Sequence, residues 1–187
     1  MSCSQSKDIL LLIENHSDLM GGKEVGLAIH RLAKLAGSGC CTGLGGAEEG
    51  SFKSGEDARV AAAAAAIGRQ ATKIADNLAP SDLSRLLWGF ATLGLCPAPD
   101  VMETVAQCIM MNVDQFESQT VVSFVWALAK IGLDPDPRIF TTMMSRAAAT
   151  ARQLTTQVRK YLMSDLHEWM HTSLRVLCLQ ILWMVLA

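Results

Sequence analysis

The sequence predicts an all-α fold, specifically a right-handed α-solenoid of three or four helix-turn-helix repeats. Three observations predict it. Half of the 187 residues are apolar and only 5% are aromatic, with Ala, Leu, Met and Val abundant. Ala, Leu and Met lose little on entering a helix, so this balance favours helices over sheets. Residues 81–118 laid over 119–156, an offset of 38, share eight identities, among them Trp88/Trp126, Ala91/Ala129, Gly94/Gly132, Leu95/Leu133, Pro97/Pro135 and Pro99/Pro137. Repetition at that period marks stacked units, none of which buries its apolar face alone. Finally, the shared Gly and Pro stand where a helix must stop and the next one start.

The elements follow in order. "SKDILLLIENHSDLM" (6–20) reads as the second helix of an early unit. "EVGLAIHRLAKLAG" (24–37) reads as a first helix, with His30 at the tryptophan position. Trp88 lies further from His30 than one repeat step, and the surplus is a Gly-rich segment at 37–57 that reads as a flexible insertion. The stretch 58–78, with six consecutive alanines at 61–66, is expected to be a second helix.

The two best units come next. Leu83, Leu86, Leu87, Phe90 and Leu93 recur at helical spacing, so 81–93 is expected to be amphipathic. Gly94 is expected to cap it in the left-handed conformation, with Leu95 folding back and Pro97 preventing continuation. Pro99 suits the first turn of a second helix with the stripe Val101, Val105, Ile109 and Val113. The next unit repeats this plan, with Asp136 and Pro137 as its second-helix start. Residues 157–187 read as a C-terminal helical segment. Its end, "VLCLQILWMVLA", is mostly apolar but shorter than a spanning helix needs, and reads as a buried helix whose packing partner lies elsewhere.

The net charge of −2 lacks the basic bias that announces nucleic-acid binding. Six cysteines without a Cys-x-x-Cys pair read as reduced thiols. The N-terminus has neither the long apolar run of a signal peptide nor the Arg-rich, acid-poor character of a transit peptide.

"HEWMH" carries the His-Glu-x-x-His pattern of a zinc peptidase, with His167 and His171 as ligands and Glu168 as base. A catalytic zinc needs a third ligand, and after Glu168 the sequence offers no Asp, Glu or His other than His171. The metal reading is therefore rejected. "GSGCCTG" and "GLGGAEEG" lack both the dinucleotide spacing and a Gly-Lys-Ser/Thr.

The segments "LLWGFATLGLCPAP", "FVWALAKIGLDPDP" and "AIHRLAKLAG" resemble the repeat of octotricopeptide repeat proteins, and are similar to the helical repeats of FAST kinase-like proteins and of the RNA-editing substrate-binding complex. The resemblance covers about residues 6–156, and no RAP domain, often found beside such repeats, is visible. It implies a non-catalytic, cofactor-free RNA-binding protein of mitochondria or chloroplasts. Such proteins act in RNA processing, stability, editing or translation. The implied partners are single-stranded RNA and other organellar RNA-processing proteins, with no small-molecule substrate and no membrane. RNA would lie on the concave face lined by first helices. There the solvent-side positions read as Gly26, Leu27, Arg31 and Lys34, then Ser84, Arg85 and Thr92, then Val122, Ser123 and Lys130. Trp88 and Trp126, recurring with the structural Gly and Pro, read as core residues more readily than as base-stacking platforms. Across 81–156 seven acids face five bases, which argues for weak electrostatics and keeps a protein-binding scaffold as the alternative.

Overall fold

The computed structural model describes residues 3–36, 55–131 and 137–150. Among the described residues there are seven α-helices and no strand, so the chain is all-α as its composition predicts. In chain order they are α1 (Cys3–His16), α2 (Gly22–Leu35), α3 (Gly55–Lys73), α4 (Pro80–Leu93), α5 (Pro99–Asn112), α6 (Ser118–Ile131) and α7 (Pro137–Thr150). All but α3 are 14 residues long.

The helices form two layers. In one, α2 packs on α4 and α4 on α6; in the other, α1 packs on α3, α3 on α5 and α5 on α7. The core lies between them, and its largest fully buried side chains include Ile29, Leu32, Leu83, Leu86, Leu87, Ile109 and Phe124. A layered arrangement is what amphipathic helices require, because each buries one stripe only against neighbours.

The turn expected after α4 is present. Gly94 has φ 68° and ψ 24°, a left-handed conformation that L side chains adopt at a cost. Its N–H donates to the Ala91 carbonyl at 3.2 Å, and the Leu95 N–H donates to that of Phe90 at 3.0 Å, closing the helix end. Leu95 then packs against the core. Pro80, Pro99 and Pro137 each open a helix, where a missing N–H costs nothing.

A feature not foreseen follows three helices of the second layer. Three short 3-10 turns, Ser17–Leu19, Ala75–Asn77 and Val113–Gln115, occupy corresponding places, and each leads into a buried apolar residue: Met20, Leu78 and Phe116. In all three the buried residue's N–H donates to a carbonyl at the turn's start at 3.2 Å. The carbonyls of these turns are then satisfied from the following unit. Gln70 Nε2 donates to Asp18 O at 3.1 Å and to Met20 O at 2.9 Å. Cys108 Sγ, 38 positions on, reaches Ala75 O at 3.5 Å. Arg146, 38 further, donates through Nε to Phe116 O at 2.9 Å and through Nη2 to Asp114 O. Buried backbone oxygens demand partners, and one position per unit supplies them.

Two boundaries shift. Helix α4 begins at Pro80 and α3 at Gly55, so the helix extends into the 37–57 stretch read as an insertion. Residues 37–54, Gly132, Asp136 and the whole of 157–187, with His167, Glu168 and His171, lie outside the described residues. Among the described residues no helix is long and apolar enough to cross a membrane, and no group of three or more His, Cys, Asp or Glu is placed to hold a metal.

Candidate nucleic-acid interface

Helices α2, α4 and α6 lie side by side, so corresponding positions fall into rows across them. On α4 the residues left partly or fully open are Pro80, Ser81, Arg85, Trp88 and Thr92, while those between turn into the protein. Ser81, Arg85, Trp88 and Thr92 follow the spacing of one helix face. Their counterparts make four outward rows: Lys23–Ser81–Gln119, Leu27–Arg85–Ser123, His30–Trp88–Trp126 and Lys34–Thr92–Lys130.

The third row is a ladder of rings. His30 and Trp88 have centroids 4.8 Å apart, tilted by 41°. Trp88 and Trp126 are stacked, with centroids 6.5 Å apart and planes at 26°. Lys130 Nζ sits 4.9 Å from the Trp126 centroid, a cation–π contact at the ladder's end. All three rings are half-buried, each with one side against the core and one side open. The tryptophans are therefore not the wholly internal residues that their recurrence suggests.

The remaining sequence-predicted positions divide. Arg85, Ser123, Lys34 and Lys130 stand in the outward rows, as does Leu27. Ser84 does not: it is 5% exposed, and its hydroxyl donates to the Thr120 carbonyl of α6 at 3.3 Å. Gly26 and Val122, at the same position of their units, are also buried. A Cβ on Gly26 would stand 3.2 Å from the Asp82 Cα, so this position is the seam between neighbouring helices rather than a solvent face. Thr92 keeps its place in a row, but its hydroxyl is buried, without a hydrogen-bond partner, and offers nothing to the outside. Arg31 is exposed on α2 at the position of Gly89. A Cβ on Gly89 would meet Ile29 of α2, so that position faces the preceding helix; by this register Arg31 lies on the side of α2 away from α4 and apart from the rows. His30, Trp88, Trp126, Lys23, Ser81 and Gln119 join the face instead, and their common spacing from Arg85 or its counterparts was the signal available for them.

The electrostatics of this face differ from those of the chain. The four rows carry Lys23, Lys34, Arg85 and Lys130 and no acid. Helices α2, α4 and α6 contain two acids, Glu24 and Asp82. Asp82 is 3% exposed and accepts from Arg85 Nη1 at 3.0 Å, which fixes the guanidinium on the outward side. The exposed Asp18, Asp76 and Asp114 belong to the 3-10 turns. Near-neutral net charge thus hides a segregated surface. Burial, and then the nearby charges of Lys34 and Arg85, hold the His30 imidazole below its ordinary pKa.

The face is a set of aromatic rings flanked by cations, which suits planar rings joined by anionic links. No protein-family model, no curated protein and no solved structure matches this chain.

Proposed function

We propose that this chain is an α-solenoid of helical repeats that binds single-stranded RNA on the outward face of α2, α4 and α6, without catalysis. The observation that carries the reading is the His30–Trp88–Trp126 ladder, capped by Lys130 and set in rows that carry cations and no acid. Aromatic platforms accept any base, and each stacked base contributes about 1–3 kcal/mol, while the cations neutralise phosphates. The solenoid part is supported by the same turn, buried residue and reach-back contact recurring at corresponding positions. The resemblance to octotricopeptide repeat proteins supports placing it in mitochondria or chloroplasts. There it would act in RNA processing, stability, editing or translation, beside other RNA-processing proteins.

The test is fluorescence anisotropy of the full chain with a pool of random single-stranded RNA at two salt concentrations. If Lys34, Arg85 and Lys130 each neutralise one phosphate, log affinity should fall with log salt with a slope of about −2, at roughly 0.7 per contact. Lys130→Ala should flatten that slope by about 0.7, and Trp126→Ala should weaken binding by roughly 1–3 kcal/mol. Absence of binding at low salt, or binding indifferent to Trp126, would sink the RNA reading and favour a protein-binding scaffold.

A further inference from the structure

The outward face is not uniform along its ladder. At the α2 end three nitrogen-bearing side chains from two helices converge beside one ring. His30 lies against Trp88 at 4.8 Å. Lys34 stands one turn further along α2, and Arg85 one turn before Trp88 on α4. Arg85 cannot turn freely, because the buried Asp82 carboxylate accepts from its Nη1 at 3.0 Å. The charges acting on His30 are those of Lys34, from its own helix, and Arg85, from α4. The charged side chains that α1 and α3 bring to their shared contact pair with each other, Arg59 with Glu14 and Lys73 with Asp18.

We propose that His30, Lys34 and Arg85 form a phosphate seat beside the Trp88 ring, and that a phosphodiester settling there is accompanied by protonation of His30. The proposal rests on the RNA reading and deepens it by assigning one phosphate to one place. The physical reason is a balance of charge. In the free protein an imidazolium at this place would face two cations from a half-buried position, so the ring stays neutral near pH 7. A phosphate between the three groups reverses the sign of the local field and favours the charged ring. Binding and protonation then assist each other, and affinity rises as pH falls. The imidazolium gains one proton from solvent and donates N–H to a phosphate oxygen; no covalent bond changes.

The experiment measures affinity for random single-stranded RNA at constant ionic strength between about pH 8 and pH 6, the range in which histidine changes charge. It compares the wild type with His30→Gln and with His30→Phe, which keeps a ring against Trp88 but cannot be protonated. One linked proton allows up to about tenfold tighter binding per pH unit. The wild type should approach this over part of the range, and both variants should lose the gain, leaving whatever the other histidines contribute. An equal pH dependence in all three proteins would overturn the seat while leaving the RNA reading standing. If RNA does not bind, the RNA reading falls, and the seat is judged with inorganic pyrophosphate while the His30 ring is titrated by NMR. A pKa raised by pyrophosphate supports the seat, and an unmoved one overturns it.

Discussion

Replacing Gly94 tests the turn on which each unit depends. With φ 68° and ψ 24°, the residue occupies the region where a Cβ approaches the following carbonyl, at a cost of about 1–2 kcal/mol for an L side chain. Alanine also makes the unfolded chain less flexible, which returns roughly 0.4–1 kcal/mol. The difference is a net loss of about 1 kcal/mol for Gly94→Ala. Gly94→Asn should cost less, since asparagine tolerates this conformation, and Gly94→Val more, since a branched Cβ crowds both sides. For a chain of this length a loss of about 1 kcal/mol moves the melting temperature by about 2–4 °C. The assay is thermal melting by far-UV circular dichroism, paired with urea unfolding. The urea midpoint should move with an unchanged slope if only the folded state is affected. The expected order is Gly above Asn above Ala above Val. An alanine variant as stable as the wild type, or a valine variant no worse than alanine, would refute the left-handed cap.

Three further outcomes follow from the described contacts. Phe116 is fully buried and meets Phe124 edge-on at 6.3 Å, so Phe116→Ala should lower unfolding free energy by about 3–5 kcal/mol in urea titrations. Gln70→Leu leaves the Asp18 and Met20 carbonyls without their donor and should cost about 1–3 kcal/mol, reduced because Gln70 Oε1 is itself buried without a partner. The hydrogen bond and charge of Arg59 hold the Glu14 carboxyl below its ordinary 4.5. A depressed carboxyl adds stability above its unfolded pKa and loses it as pH falls through the folded value. The stability gap between wild type and Arg59→Met should therefore narrow as pH drops below 4.5, and a gap that widens there would contradict the pairing.

How much of this was legible in the sequence depended on what each position has in common with its copies. Gly94, Pro99 and the apolar stripe of α4 could be read because the backbone conformation or the burial demands that residue type. The seam could not. Ser84 and Asp82 are polar and read as solvent-facing, yet both are buried, because a neighbouring helix lies over them. Position 84 lies about 100° around the helix from position 85, so composition alone does not say which of the two faces out. The reach-back position was invisible for a different reason. Gln70, Cys108 and Arg146 share no chemistry; what they share is the set of carbonyls they meet. The rings were visible as a recurrence, but a recurring tryptophan is equally consistent with a core residue until the neighbouring helix places another ring beside it.

The unequal spacing of the units has a consequence for how such a chain tolerates change. Between α2 and α3 the connection runs from 36 to 54, whereas 94–98 suffices to join α4 to α5. The longer connection is about two doublings of the shorter, and each doubling costs only about 0.6 kcal/mol in closure entropy. The helices on either side nevertheless keep the same partners, because register is fixed where each unit hands over to the next, at the 3-10 turns and their reach-back donors. The first-to-second-helix turn is therefore a place where peptide can be grafted or trimmed at small energetic cost. The same change at a handover would put every later helix out of step.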